Sequence, residues 1–223
     1  MTESVSVIVA HYYAARWPNL PMLVGALQSG TVSPQEILIW NNELGALPQM
    51  DGVHVIQSHR NVGCQARFVA SFVAQGDWLL YHDNDMLCDE NTLALLLAWA
   101  RKLGDAIVSV DGWSFVDDRH RYVDGVGTYF TGQHLSGPQQ VDVVPGHIEL
   151  VRRNTVLQIL STFPFVSSPV HDDLVWCACA KKLGIPRYVV PCQSSWLPDY
   201  GLGISREPGF NEERNQLCRE LWA

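Results

Sequence analysis

The chain contains no Cys-x-x-Cys pair and no His/Cys grouping with zinc-ligand spacing. Its six cysteines (Cys64, Cys88, Cys177, Cys179, Cys192 and Cys218) therefore outline neither a disulfide framework nor a structural metal site, and they read as small buried hydrophobes. Positive charge is also scarce. Lys and Arg number 15 against 23 Asp and Glu, a formal net charge of -8, and a negative field opposes encounter with nucleic acid or anionic lipid, which leaves nucleic acid as an acceptor only where a local basic groove exists. Long apolar runs are missing as well: Leu93 to Ala100 is the longest, far short of the ~20 residues that cross a bilayer. The first turn carries Glu3 where a secretory signal would carry Lys or Arg. No membrane span and a cytoplasmic location are expected. A Pro/Gly/Ser linker, an internal repeat and a low-complexity segment are all lacking. With 223 residues, 47% hydrophobic and 17% charged, the chain reads as one folded domain over 1–223, given ~150 residues per typical domain. Oligomeric state is left open.

What is present alternates. VSVIVA (Val5 to Ala10), EILIW (Glu36 to Trp40), Val53 to Gln57, DWLLY (Asp77 to Tyr81) and Ala106 to Val110 are short, largely apolar runs expected of strands covered on both faces. Helices are expected from Asn19 towards Gly30, from about Val62 to Gln75, and through Leu93, Leu96, Leu97 and Ala100, whose i, i+3, i+4, i+7 spacing ends at Arg101, Lys102 and Gly104. Arg121 to Leu150 reads as hairpins or a mixed sheet edge. Trp176, Cys179, Ala180 and Leu183 regain helical spacing before a strand at Arg187 to Val190, and a mobile Gly-rich tail from Gly201 to Gly209 leads to a helix near Glu212 to Leu221. This order predicts an α/β fold, a single α/β/α sandwich with a mostly parallel, Rossmann-like central sheet. Residues up to about 110 are expected to form a nucleotide-binding half by fold analogy, and 111–200 an acceptor-binding half.

Asp83, Asn84 and Asp85 follow DWLLY and so project from the carboxyl end of a strand, where open α/β sheets bind ligands. Two carboxylates there suit a hard divalent cation that keeps positions for water and phosphate oxygens, although a turn also favours these residue types. A second pair, Asp172 and Asp173, opens the Trp176 helix behind His171; one Asp would suffice as a helix cap, leaving the other for a cleft. Arg67, Arg152 and Arg153 offer planar forks for an anion, and His147 after Pro145-Gly146 could line the same pocket.

Taken in order, these elements resemble GT-A fold glycosyltransferases, including family 2, with the Asn61-x-Gly63-x-x-x-Arg67 run, the acidic motif after a buried strand and an acidic pair opening a helix that ends Lys-Lys-Leu-Gly. The closer resemblance is to family 64, the exostosin-like retaining transferases, through Trp40-Asn41-Asn42, Asp83-Asn84-Asp85-Met86-Leu87 and Asp172-Asp173-Leu174, in order across Val5 to Val190. The resemblance implies that Asn41 and Asn42 contact the base or ribose of a UDP-sugar, with His11 and Tyr12 nearby. It implies that Arg67 approaches the diphosphate or sugar, that Asp85 ligates Mn2+ or Mg2+, and that Asp83 touches the ribose or donor sugar beside the metal. Asp173, with Asp172, would face the anomeric carbon and the acceptor, and Arg206 would close over the diphosphate. Asn84 at the centre of the metal motif and His171 before the second pair depart from the family pattern, and the Golgi anchor and partner domain of the animal enzymes are not expected.

The function implied is metal-dependent transfer of a hexosyl or N-acetylhexosaminyl group from a nucleotide-sugar donor to a hydroxyl of a carbohydrate or other acceptor, with retention. A bound cation would act as electrostatic clamp on the leaving diphosphate and Asp173 as acceptor-side base or hydrogen-bond acceptor. Two alternatives are weighed against it. A nucleotidyltransferase making an NDP-sugar should show a Gly-rich loop with a basic residue soon after the first strand, and HYYAARWP has no glycine. A non-catalytic sugar-binding module could use the eight Trp as stacking surfaces, but would not require two acidic pairs.

Overall fold

Period-two burial sorts the central strands into two layers. In β1 (Val5–His11), Val5, Val7 and Val9 pack into one apolar cluster and Ile8 into the other, as the alternation of side chains across a pleated strand requires. The computed structural model describes residues 3–115, 127–165 and 171–222. After β1 come α1 (Asn19–Ser29), β2 (Glu36–Asn41), β3 (Val53–Gln57), the short α2 (Ala66–Ala70), β4 (Trp78–Asp83), β5 (Met86–Cys88) and α3 (Thr92–Leu103). The second part contains β6 (Ile107–Ser109), β7 (Asp111–Phe115), β8 (Gly127–Thr131), β9 (Gln139–Gln140), β10 (Ile148–Arg152), α4 (Arg153–Leu160), α5 (Asp172–Lys182), β11 (Arg187–Val189), β12 (Ser194–Trp196) and α6 (Phe210–Trp222).

The main sheet has eight strands in the order β3-β2-β1-β4-β10-β6-β11-β9. β1, β2, β3 and β4 are mutually parallel, whereas β10 runs antiparallel between β4 and β6. The α/β sandwich with a mostly parallel sheet is therefore as expected. One layer buries Leu20, Leu23, Leu93, Leu96 and Leu97 of α1 and α3; the opposite layer buries Phe68, Val156, Ile159, Trp176 and Trp222 of α2, α4, α5 and α6. Because the chain leaves β1 for β2 and β3 on one side and returns to β4 on the other, the sheet has a switch point between β1 and β4, where a crevice opens at the carboxyl ends.

Several expectations change. The helix expected over Val62 to Gln75 contracts to Ala66–Ala70. Asn61 accepts from the Gly63 backbone N–H in an Asx turn, Gly63 lies at φ 76°, and Asn42 holds both the Val62 N–H and the Gly63 carbonyl, so the chain is pinned as a loop. β10 is a central strand rather than an edge, and α4 behind it was not foreseen. Within the stretch expected to form hairpins, Arg121 to Leu150, residues 121–126 lie outside the described residues, and β8 pairs with β7, which precedes that stretch. The 201–209 segment includes a 3-10 turn at Ile204–Arg206, and α6 packs on α5. All six cysteines are free, and among the described residues no helix is long and apolar enough to cross a membrane.

Phe68 stacks on Trp176 with centroids 4.6 Å apart, and the Tyr81 ring meets both edge-on. This buried trio ties α2 and α5 to β4. It thereby fixes Arg67, Asp172–Asp173 and Asp83, each one to four residues from a member of the trio.

Two glycines give opposite expectations. A Cβ on Gly76 would stand 2.5 Å from the Ser6 backbone nitrogen, whereas one on Gly25, inside α1, meets nothing within 4 Å. Gly76→Ala should therefore lower stability by about 1–3 kcal/mol through overpacking, and Gly25→Ala should raise it by about 0.5–1 kcal/mol through helix propensity. Urea midpoints of the two variants against the parent check both signs.

Candidate active site

The crevice at the switch point is a cleft of about 820 Å3. His11 ends β1, Asp83 ends β4, and Asn84–Asp85 turn the chain into β5, which pairs with β12. Across the cleft α5 presents Asp172 and Asp173 from its first turn. Its N-cap is His171 with no side-chain cap bond, so neither aspartate is occupied in capping and both line the cleft.

Each of the four carboxylates meets a guanidinium. Arg67, from α2, lies 3.0 Å from Asp83 and 3.3 Å from Asp172, and donates to the Gly146 carbonyl at 2.6 Å. Burial works against its charge, but Asp83 and Asp172 more than offset this and keep it a cation. Arg16, in the 3-10 turn Ala14–Arg16 behind β1, pairs with Asp85 at 2.9 Å and donates to Asn84 Oδ1 at 3.0 Å. Arg214 of α6 clasps Asp173 with two hydrogen bonds, 2.9 and 2.6 Å. Asp172 is thus joined to Asp83 by the Arg67 bridge as well as by the fold.

Burial pushes the Asp172 carboxyl up to about 7, with Arg67 opposing and Asp173 adding to the shift. It also raises Asp83, against Arg67 and with the help of the Asp85 charge. His11 is buried, which brings its imidazole down to about 4, and Asn84 Nδ2 donates to its Nδ1 at 2.9 Å if the amide is oriented to satisfy both Arg16 and a neutral ring. This gives a reason for asparagine at the centre of the motif: its amide joins a cation on one side to a neutral ring on the other. His147 reaches the cleft as expected. Burial disfavours its charge, but Asp111 Oδ2 at 2.7 Å carries it up to about 9, and its ring meets Trp196 edge-on at 4.9 Å.

Other sequence-predicted residues fall elsewhere. Asn42 lines the cleft, but its amide holds the 61–63 loop and the Trp40 indole. Asn41 is a correction: it is fully buried, outside the cleft lining, and its amide is engaged by Gly45, Gln57 and the Glu43 N–H, so it shapes the loop rather than facing a ligand. Tyr12 lines the cleft, half-exposed, beside Tyr13. Arg206 pairs with Asp199 at 2.5 Å, its side chain 61% exposed, and does not line the cleft. Arg152 and Arg153 are also corrected. The antiparallel course of β10 carries them to the opposite edge, where Arg152 lies over Trp78 and pairs with Glu3 and the Arg153 N–H meets Asp77; the same course delivers His147, which precedes the strand, to the cleft. Arg16, Asp111, Trp196 and Arg214 were missed. Only Arg16 had a usable signal, a basic residue soon after the first strand.

The donor set suits the implied cation. Among the described residues no group of three or more His, Cys, Asp or Glu side chains is placed to hold a metal ion, so Asp85 and Asp83 would offer two hard carboxylates and water and phosphate would complete the shell, as Mg2+ and Mn2+ commonly accept.

Beneath the bridge, on the same face of the sheet, Glu149 is fully buried and its Oε2 has no hydrogen-bond partner. Burial pushes it up to about 8, with Arg67 opposing. An acid whose folded pKa is raised binds more protons folded than unfolded between the two values, so its contribution to stability declines as pH rises from about 4.5 to about 8. Glu149→Gln should accordingly melt higher than the parent at pH 8, with the difference shrinking towards pH 5. Melting curves across that range check it.

In structural comparison, GalNAc-T7, solved with UDP, GalNAc and Mn2+, superposes with a TM-score of 0.71 at 12% identity over 96% of this chain and 48% of its own. Residues 1–349 of S. aureus TarS superpose at 0.58 and 17% identity, over 86% of this chain and 59% of that one. At these identities the likeness is one of fold, and the chain spans about half the length of the first. No curated protein sequence matches the chain. Residues 6–160, from β1 through α4, match Glycosyl transferase family 2, and the chain belongs to that family.

Proposed function

We propose that the protein is a metal-dependent glycosyltransferase that moves a sugar from a nucleoside-diphosphate sugar, with UDP as the nucleotide, to an acceptor hydroxyl on a carbohydrate or similar molecule. The observation that carries this reading is the placement of two acidic pairs on opposite walls of one cleft at the switch point of a family 2 chain, close enough for Arg67 to reach both. Such a cleft separates the two needs of the reaction: charge control at the leaving diphosphate and a carboxylate at the acceptor. Asp85 and Asp83 would hold Mn2+ or Mg2+, which supplies a Lewis acid for the departing diphosphate. His147, kept cationic by Asp111, adds positive potential on the same side. His11 and Tyr12 lie where the nucleoside would enter, and Asn42 supports that wall by holding the 61–63 loop.

On the acceptor side the two aspartates divide the work. Asp173, clasped by Arg214, is a fixed negative charge suited to steadying an oxocarbenium-like state. Retention is proposed on the family 64 resemblance alone. Asp172, with its carboxyl pushed up to about 7, is matched to exchanging a proton with the acceptor hydroxyl near neutral pH. A hexosyl or N-acetylhexosaminyl cargo is proposed, supported by the GalNAc and UDP in the GalNAc-T7 structure.

Calorimetry should show UDP binding much more tightly with Mn2+ than in EDTA, and Asp85→Asn should erase the difference; equal affinity under both conditions overturns the metal reading. Asp172→Asn should leave UDP binding intact and slow acceptor-dependent UDP release from a UDP-sugar by about 10²–10⁴-fold. Unchanged release removes Asp172 from the chemistry, and the anomeric configuration of the product by NMR decides retention.

A further inference from the structure

Within that reading, a leaving diphosphate needs a cationic side chain, and the arginines expected to supply one are engaged elsewhere. Arg67 is fixed between Asp83, Asp172 and the Gly146 carbonyl, and Arg206 lies outside the cleft lining, on Asp199. Arg16 differs from both. It lines the cleft and sits on a turn rather than a helix. Apart from Asp85 and Asn84, its guanidinium makes one long hydrogen bond, 3.4 Å from Nε to the Asp199 carbonyl, and lies over the Tyr13 ring at 5.6 Å. Its Nη1 nevertheless occupies the Asp85 Oδ2 oxygen at 2.9 Å, one of the two oxygens a divalent cation would take. A guanidinium and a cation cannot share that oxygen without repulsion, and both bind phosphate oxygens well.

We propose that Arg16 is an exchange residue: it neutralises Asp85 when no cation is bound, is displaced by the cation, and then pairs with the diphosphate. Asn84 makes the exchange local, because its Oδ1 accepts from the same Nη1 while its Nδ2 stays on His11. The motif turn therefore keeps an anchor as the guanidinium leaves. The consequence is mutual dependence. Cation alone must break the Arg16–Asp85 pair without compensation, and nucleotide alone meets an arginine already engaged; together each removes the other's obstacle, a positive coupling that linkage makes reciprocal.

The test separates two binding constants. Arg16→Met keeps the apolar stem and removes the competing charge. Titrated with Mn2+ alone, the variant should bind about tenfold or more tightly than the parent, the scale of one charge-assisted hydrogen bond. Titrated with UDP in saturating Mn2+, it should bind about tenfold or more weakly. Opposite signs on one variant are not what a merely structural arginine would give. Should Arg16→Met fail to fold by circular dichroism, Arg16→Lys carries the same pair of measurements with smaller shifts of the same signs, since an ammonium lacks the fork. Unchanged or weaker Mn2+ binding, or unchanged UDP affinity in Mn2+, overturns the exchange while leaving the sugar-transfer reading in place. A parent protein that binds neither Mn2+ nor UDP overturns both.

Discussion

A guanidinium buried at the bottom of a cleft has to be paired, and Arg67 is paired with carboxylates from two different walls. Removing one partner of a buried charge pair typically costs about 3–5 kcal/mol, so Asp83 and Asp172 share the task of keeping Arg67 charged and in place. This ties the end of β4 to the start of α5, segments far apart in sequence. The aromatic trio of Phe68, Tyr81 and Trp176 reinforces that tie with apolar contact, because it docks the helix that carries Arg67 and the helix that carries the acidic pair onto the strand that carries Asp83. Geometry at the cleft thus follows from packing a few residues below it.

Glu149 shows the cost of concentrating charge there. It lies under Arg67 with one carboxylate oxygen unpartnered, and the field of Asp83, Asp172 and Asp173 discourages its ionisation in addition to burial. A neutral carboxyl is the tolerable state, which leaves Arg67 to the two carboxylates above it. A glutamine of the same shape would meet the same space without titrating. The glutamate is therefore a feature whose consequence is pH dependence rather than stability.

Much of this was legible in the sequence because burial on both faces of a sheet leaves a continuous apolar signature. VSVIVA, EILIW and DWLLY were placed correctly, and with them the carboxyl edge that holds Asp83 and Asp85. The stripe of Leu93, Leu96, Leu97 and Ala100 gave α3, and the DDL run gave the start of α5. Strand direction was not legible. Nothing in GHIELVRR says that it runs antiparallel, and that single fact moved Arg152 and Arg153 away from the cleft and brought His147 to it. The polar partners were hidden for a similar reason. Asn41 and Asn42 stand at the end of a strand as a ligand-binding pair would, and only the 61–63 loop folding back onto them shows that their amides are engaged by the backbone. Arg214 sits in a charged terminal segment where an arginine is ordinarily solvated, and only the packing of α6 on α5 buries it.

That packing changes what the carboxyl-terminal segment is for. If α6 only covered apolar surface, Cys218 and Trp222 would suffice to dock it. Instead it places a buried arginine on Asp173 with two short hydrogen bonds, so the position of an acidic side chain on α5 depends on a helix some forty positions later. The cleft then holds Asp83, Asp85, Asp172 and Asp173 against Arg16, Arg67 and Arg214, a set close to electrical balance. A divalent cation alone would turn its slight negative excess into an equally slight positive one, whereas a diphosphate alone would make it strongly negative. The two arriving together leave the balance nearly undisturbed. On the proposed reading, near-neutrality built from arginine–carboxylate pairs would favour a nucleotide arriving with a cation over a nucleotide alone, before any contact with the base or the sugar is considered.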